Sequence, residues 1–572
     1  MSNMNRRDFL SFLTSNDDGG VAELDPKRDV VFTKYANKEL PKLERTTSTL
    51  TTYSGSWTRA EIIHLLRRTM FGVREADIQT LQNMSMSQAV DFLLTNTPAT
   101  PAPPVNNYET STYTDPTGIG SGQTWINAPY GTGGLNGRRG DSLKAWWIGL
   151  MLNQNLSIQE KMVFFWYNHF STEITSIFDA RISYSYVAML RQNALGNFKS
   201  LVKQVTKHPA MLKYLNGYVN AQAAPDENYG RELQELFTLG KSNNPNYTED
   251  DVKAAAKVLT GWRINSSTLT SYFDPAKHDT SNKQFSSFYN NTVINGQAGM
   301  NGAAEADALV DMIFTKTEAA KFICRKLYRF FVYYVIDVDV ENNVIAPLAQ
   351  MLINNNFEIV PVLKALFKSQ HFFDTNNRGC FIRTPLDHIL GTLRTFNVNI
   401  STTLTVEKTY AIWNYLRTNA ANLALDLGDP PNVAGYPAYY QVPEYYELWI
   451  NSNTFPKRLA FTDMLNSTGF TASTGFFVKM NVLSFAAGFA QADDVDALVD
   501  YCVQMLLGVD ISATRKASLK DMLLGGQTSN AYWSGAWSNY LANANYANTN
   551  AVQPKLVSMM TEIMRMPEYQ LC

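Results

Sequence analysis

Two carboxylates between Asp226 and Gly240 are the first candidates for chemistry, because this segment has the apolar periodicity of a helix. Glu232 falls at the border of the apolar face, and Glu235 lies about one turn further on. Paired carboxylates on a half-buried face, with Arg231 beside them, predict a site for metal binding or acid–base catalysis. The alternative is a network of salt bridges to neighbouring helices. The basic residues available for such a network are Arg67, Arg68 and Lys326.

His169 lies in the run from Met162 to Phe170, which is apolar on nearly all sides and predicts a helix at the centre of the core. A lone histidine in such a helix is typically a hydrogen-bonded core residue. A neutral imidazole is also a common metal ligand, so both interpretations stay open for His169.

His278 and Asp279 are adjacent in a loop, and loops often carry catalytic groups because a rigid scaffold can aim them. The pair predicts a divalent-metal site, or a base with an orienting carboxylate. The alternative is an Asx turn with a surface histidine. If His169 and Glu232 meet this pair in space, the set has the makeup of a mononuclear metal site. The candidates for catalysis are Glu232, Glu235, Arg231 and Asp279, and those for metal ligation are His169, Glu232, His278 and Asp279.

Helix signals position these residues, and they dominate the chain from about residue 57 to residue 393. Three pairs of residues have the spacing of capping boxes, which predicts three helix starts. The pairs are Thr58 with Glu61, Ser157 with Glu160, and Thr248 with Asp251. We therefore predict a mainly α fold, a multi-helical globular array with long irregular loops and little or no sheet.

The composition changes along the chain predict three regions. Residues 1–57 are polar and weakly periodic and predict an extended N-terminal arm. Residues 58–470 form the predicted helical core, with loop insertions at 98–140 and 263–302, and residues 471–572 form a C-terminal helical region. A loop as long as the first insertion is typical of a functional segment such as a lid.

The arm contains Asn5-Arg6-Arg7-Asp8-Phe9-Leu10, which is similar to the twin-arginine export signature. Such a signal also needs an apolar segment of roughly 7–15 residues. Here Ser11–Thr14 runs directly into the polar residues Asn16–Gly20, so the motif is incomplete. A degenerate signal, a tail that docks on a partner and a chance match all stay open. Export bound to a partner that has its own signal is a further route.

The composition excludes several classes of function. A net charge of −2 gives no electrostatic footprint for nucleic acid. No stretch approaches the roughly 18 uninterrupted apolar residues of a membrane span. The sequence has no Walker loop, no Rossmann glycine fingerprint and no G-x-S-x-G elbow. The supply of 10 Trp, 29 Tyr and 31 Phe allows aromatic-lined grooves.

Seven segments resemble blocks of the bacterial family catalogued as domain of unknown function 1800. They are Leu65–Gly72, Phe164–Phe170, Glu227–Gly240, Tyr247–Val252, Leu259–Trp262, His278–Asp279 and Pro430–Val433. They follow the family's order and cover residues 59–470, with Gly230 standing where the family pattern has an alanine. The resemblance implies membership of the family and carries no established activity.

Two functional hypotheses from different classes stay open. The first is a non-catalytic binding or assembly protein of the bacterial cell envelope, whose partner is a co-exported protein or a glycan. It is favoured by the lack of a catalytic motif and by aromatic segments such as Tyr436–Trp449. The second is a metal-assisted envelope enzyme, which acts on a glycan or other polymer through the His/carboxylate cluster and needs a divalent metal. The envelope is favoured as the compartment, and the missing apolar segment keeps the cytoplasm open.

Overall fold

The structure is a computed structural model that describes residues 46–177, 179–241, 247–398, 400, 404–473 and 476–572. The twin-arginine-like motif and the predicted arm up to residue 45 lie outside the described residues. The chain from Thr46 to Cys572 forms one unit, and it is mainly α-helical as predicted. No helix within the described ranges combines the length and the apolar character needed to cross a bilayer.

The first half of the chain is a succession of helices, and one of them, α5 (Gln159–His169), is buried along its whole length. The helices are α1 (Arg59–Thr69), α2 (Glu75–Gln82), α3 (Met86–Thr95), α4 (Gly133–Leu152), α5 (Gln159–His169), α6 (Ile174–Ile177), α7 (Ala180–Gln192), α8 (Phe198–Lys207), α9 (Pro209–Tyr214), α10 (Glu227–Glu232), a π-helix (Leu233–Thr238) and α11 (Glu249–Val258). Every residue of α5 is buried, which confirms that this apolar helix is central to the core.

The second half continues the helical array and adds short strands. The helices are α12 (Glu305–Ile313), α13 (Thr317–Phe331), α14 (Val338–Val340), α15 (Ala346–Asn354), α16 (Ile359–Phe367), α17 (Pro385–Thr395), α18 (Val406–Asn422), α19 (Thr454–Asn466), α20 (Val482–Ala487), α21 (Val495–Leu507), α22 (Ala513–Leu524), α23 (Ala531–Ala542) and α24 (Tyr546–Arg565). The strands are β1 (Trp262–Asn265), β2 (Thr270–Phe273), β3 (Lys283–Gln284), β4 (Val293–Ile294), β5 (Phe470–Ser473) and β6 (Phe476–Val478). They pair in sequence as antiparallel hairpins, β1 with β2, β3 with β4 and β5 with β6.

The two insertions are more ordered than the sequence predicts. Residues 262–302 carry the first two hairpins, and Trp262 faces Phe273 in register in the first of them. Helix α4 begins at Gly133, several residues before the predicted end of the first loop. Arg139 in that helix forms a buried ion pair with Asp115 at 3.1 Å, so a tertiary contact stabilises a glycine-rich start with low helix propensity.

Two of the predicted capping boxes are confirmed. Thr58 caps α1, and its backbone N–H donates to the Glu61 carboxylate at 2.9 Å. Thr248 caps α11 in the same way, with its N–H donating to Asp251 at 2.7 Å. Both boxes satisfy N–H groups that the first helical turn leaves unpaired.

The third capping box is wrong. Ile158 is the N-cap residue of α5 and its side chain makes no cap bond, whereas the Ser157 hydroxyl accepts the Gln159 N–H at 3.3 Å. Glu160 instead accepts a hydrogen bond from Arg191 Nη2 at 2.9 Å and a second one from Nη1. Because Arg191 lies at the end of α7, this competing partner is a tertiary contact that local spacing does not reveal.

Two arginines connect the C-terminal region to the core. Arg67 of α1 donates to the Met505 carbonyl at 2.9 Å, and Arg383 donates to the Leu506 carbonyl at 2.7 Å. These carbonyls belong to the last turn of α21, where a cation also offsets the negative end of the helix dipole. The contacts hold α1 against α21.

Candidate functional site

The helix from Asp226 to Gly240 changes type at its middle. Helix α10 ends at Glu232, and a π-helix follows over Leu233–Thr238. A π-turn contains more residues than an α-turn, so Glu235 is rotated around the axis relative to the position that 100° per residue predicts. Such turns are frequent at functional sites.

The predicted residues of this helix form a surface cluster. The Arg231 guanidinium contacts the Glu249 carboxylate at 2.7 and 2.6 Å and Glu227 at 3.2 Å. Burial and then the nearby Glu235 carboxylate raise the pKa of Tyr247. The two ion-pair partners of Arg231 are themselves partly or largely exposed. These ion pairs therefore contribute about 1 kcal/mol or less to the free energy of unfolding.

His169 lies in the core and is 4% exposed. Its Nε2 faces the Phe237 carbonyl at 3.0 Å, and since that oxygen only accepts, Nε2 carries the proton. Burial, followed by the positive charge of Lys326, lowers the pKa of His169 to about 3, so the ring is neutral. Within the described ranges, Nδ1 has no hydrogen-bond partner. The geometry is that of the hydrogen-bonded core histidine.

His278 is buried in a charged clamp that anchors the second insertion. Its Nε2 lies 3.0 Å from the Glu305 carboxylate, and its Nδ1 lies 2.9 Å from the Thr260 carbonyl. Glu305 also accepts hydrogen bonds from Lys283 Nζ at 2.6 Å and from the Gln297 N–H at 2.7 Å. Both imidazole nitrogens have polar partners, so the ring is fixed from both sides.

Asp279 makes the Asx turn that the sequence analysis gave as the alternative. Its carboxylate accepts the Ser281 N–H at 2.8 Å, and its own N–H donates to Thr260 Oγ at 2.8 Å. The histidine of that alternative is not on the surface, because His278 is only 1% exposed. Burial tends to raise the pKa of Asp279, but the hydrogen bonds from Ser281 outweigh it and lower the pKa.

The predicted metal set does not converge. Among the residues that the structure describes, no three His, Cys, Asp or Glu side chains are placed to hold one metal ion. The His169 ring faces the Phe237 carbonyl, whereas His278 and Asp279 lie in the Thr260 clamp. The condition on which the sequence interpretation of a mononuclear site with His169, Glu232, His278 and Asp279 depends is therefore not met among the described residues. This result concerns their placement, and their individual roles stay predictions.

The aromatic segment Tyr436–Trp449 is mostly core. Tyr436 is 1% and Trp449 is 2% exposed, so these rings do not form the predicted binding surface. Tyr439 stacks on Phe330 of α13 with ring centroids 5.4 Å apart. Four of the six rings of the segment are buried in the core, and Tyr440 and Tyr445 are half-buried.

A groove elsewhere on the molecule has the size of a ligand site. Its volume is about 740 Å³, and α1, α21 and α22 contribute to its walls. Phe489 stacks on Tyr501 with centroids 4.4 Å apart and planes 12° from parallel. The Arg59 guanidinium lies 5.0 Å from the Tyr501 centroid. The other lining side chains used below are Arg378, Asp500, Gln504, Asp510 and Lys516.

A family model described as a protein of unknown function, DUF1800, matches residues 64–571. The chain belongs to the DUF1800 family. No curated protein and no solved structure matches it.

The charged groups that line the groove of this DUF1800 protein are paired. Arg59 Nη1 donates to Glu75 at 2.9 Å, and Arg378 Nη2 donates to Glu61 at 2.8 Å. Lys516 contacts Asp500 at 2.8 Å and Asp510 at 2.7 Å, and the hydrogen bonds to these two carboxylates raise the pKa of Lys516. Each charged lining group therefore has an opposite charge beside it, and Lys516 is shared between two carboxylates.

None of these groove residues is predicted from the sequence as part of a site. Arg59 and Tyr501 are separated by more than four hundred positions, and neither belongs to a recognisable motif. The only signal was the abundance of aromatic residues, which indicates that such grooves can form and not where they lie.

Proposed function

We propose that this DUF1800 protein is a non-catalytic binding protein of the bacterial cell envelope, and that a neutral glycan chain occupies the groove. The observation that supports this proposal is the groove itself. Its volume of about 740 Å³ falls in the range of about 300–1,000 Å³ that is typical of ligand pockets.

The lining chemistry favours a sugar over a charged ligand. Pyranose rings have apolar C–H faces that pack on aromatic rings, and half-buried Phe489 is held in place by its stack on Tyr501. Sugar hydroxyls both donate and accept hydrogen bonds, so they suit the paired charges and the Gln504 amide. An ionic ligand would have to compete with the ion pairs of Arg59 and Lys516.

The same lining supports binding without catalysis. The Tyr501 hydroxyl donates to Glu75 at 3.1 Å, and each charged lining group has an opposite charge beside it. A catalytic acid or base needs a titrating group that is free to reach the substrate. The predicted catalytic residues Glu232, Glu235 and Asp279 lie outside the residues that line the groove.

The test is a calorimetric titration with neutral gluco- and chito-oligosaccharides of several units. We expect Phe489→Ala to weaken binding about tenfold, since one aromatic contact contributes roughly 0.5–1.5 kcal/mol beyond its buried area. Gln504→Ala changes the polar wall and leaves the aromatic stack in place. The matched control is Phe477→Ala, which removes an aromatic ring that is 69% exposed on the β5–β6 hairpin.

Unchanged binding in both groove variants would contradict the proposed site. Failure of every oligosaccharide to bind the wild-type protein would contradict the proposed ligand class. The envelope location is inferred from the Asn5–Leu10 motif, and fractionation of cells that express the full chain tests it. Recovery in the cytoplasmic fraction alone would overturn that part of the proposal.

A further inference from the structure

A second, smaller pocket lies where the first insertion meets three helices of the core. Pro98 and Pro101 form one edge, and the opposite wall comes from the end of α4, the start of α5 and the end of α7. Its volume is about 110 Å³. Since one water occupies roughly 30 Å³ of liquid, the space suits a few waters or one small organic group.

Four polar atoms without a hydrogen-bond partner lie in the side chains that line this pocket. They are Gln154 Oε1, Gln154 Nε2, Gln159 Oε1 and Arg191 Nε, and the statement holds for the part of the chain that the structure describes. Gln154 is 5% exposed, and Gln159 and Arg191 are each 8% exposed. Buried polar groups are nearly always bonded, so a cluster of unbonded ones indicates a missing partner.

The charge in the pocket is already balanced. Both Nη atoms of Arg191 donate to the Glu160 carboxylate, one of them at 2.9 Å, and both side chains are buried. The guanidinium Nε–H is left over as a single donor. An anion would be repelled by Glu160 and a cation by Arg191, so a neutral ligand fits best.

We propose that this pocket binds a neutral amide group, either the acetamido group of a sugar or the carboxamide of an amino acid. An amide carbonyl accepts from the Arg191 Nε–H and from the amide nitrogen of Gln154. An amide N–H donates to the oxygen of Gln154 or of Gln159. The two orientations of the Gln154 amide, with O and N exchanged, offer the ligand the same donor and acceptor, because neither atom has a partner within the described part of the chain. These atoms are covered in the ligand-free protein, so binding requires the amides of Gln154 and Gln159 to turn into the pocket.

Saturation-transfer NMR with four separate probes tests the proposal on the full chain. The probes are N-acetylglucosamine, L-glutamine, glucose and acetate. We expect N-acetylglucosamine or glutamine to bind, and which of them binds identifies the source of the amide. Glucose has no amide and acetate is charged, so neither is expected to bind at this pocket.

Two variants make the outcome specific. Gln154→Leu removes both unpartnered amide atoms, and we expect it to weaken binding of the amide probe about tenfold, as for the loss of one or two hydrogen bonds. The melting temperature of the ligand-free variant stays equal or rises, since the buried unpaired amide is gone. Gln350→Leu replaces a glutamine on α15, away from the pocket, and leaves binding unchanged.

A stable Gln154→Leu protein that binds the amide probe like the wild type would overturn the proposal. Failure of both amide probes to bind would mean that the pocket holds water only, which also overturns it. Phe489→Ala separates this site from the groove, because it weakens oligosaccharide binding without affecting an amide bound at Gln154. Each site can therefore fail independently of the other.

Discussion

At the scale of single residues, the buried clamp around Glu305 gives a first prediction about stability. Glu305→Gln removes the carboxylate that contacts Lys283 at 2.6 Å and His278 at 3.0 Å. Lys283 is then buried without its main counter-charge, so we expect a loss of about 3–5 kcal/mol in the free energy of unfolding. Urea denaturation at neutral pH measures this loss.

The control for the buried clamp is a solvent-exposed ion pair. Lys253 and Asp250 are 3.0 Å apart, and the Asp250 side chain is 88% exposed. Asp250→Asn is expected to change stability by less than about 0.5 kcal/mol. A loss below 1 kcal/mol for Glu305→Gln would show that the buried group is neutral or hydrated, contrary to the hydrogen bonds seen here.

At the scale of secondary-structure elements, the Thr248 cap gives a second prediction. Thr248→Ala removes the side chain that accepts the Asp251 N–H at 3.2 Å, and we expect a cost of about 1 kcal/mol. The matched control is Thr418→Ala inside α18, where the exposed hydroxyl bonds only the Asn414 carbonyl of its own helix. Alanine has the higher helix propensity, so this control is neutral or slightly stabilising. Equal effects on thermal melting in the two variants would contradict the capping argument.

The capping boxes also show which features of the fold can be predicted from the sequence alone. The Thr58 and Thr248 boxes depend on contacts three residues apart, and both are confirmed. The Ser157 box fails because Arg191 takes Glu160, a partner that local spacing cannot reveal. The mainly α class follows from the same local signals and is confirmed. Local sequence signals therefore predict the helices, whereas the contacts that their polar side chains make depend on residues distant in sequence.

At the scale of the whole molecule, both pockets are products of tertiary assembly. The groove exists because Arg67 and Arg383 hold the end of α21 in place, and the amide pocket exists because α4, α5 and α7 meet the first insertion. Of the predicted candidates, His169 hydrogen-bonds within the core and His278 belongs to the buried clamp around Glu305. Residue type alone therefore identified polar side chains that need hydrogen-bond partners. In the folded protein those partners are other residues of the same chain.

Buried neutral histidines give the whole molecule a predicted pH dependence. His64, His169 and His388 each lie against a backbone carbonyl, at 2.9, 3.0 and 3.1 Å, and burial is the main cause that lowers their pKa values. For His169 the folded pKa is about 3, against an ordinary value of 6.5. The unfolded chain binds more protons between these values, so stability is full above pH 6.5 and falls as the pH drops.

The His169 contribution can be isolated by comparing two proteins at several pH values. At pH 5 the histidine is expected to have lost about 2 kcal/mol of stabilisation, at 1.36 kcal/mol for each pH unit below 6.5. In His169→Gln the plot of unfolding free energy against pH is less steep between pH 5 and 6.5 by roughly one proton, whatever the absolute stability of the variant. Urea denaturation across this range measures both slopes. Parallel plots for the two proteins would mean that His169 takes up a proton in the folded state, which burial and the positive charge of Lys326 disfavour.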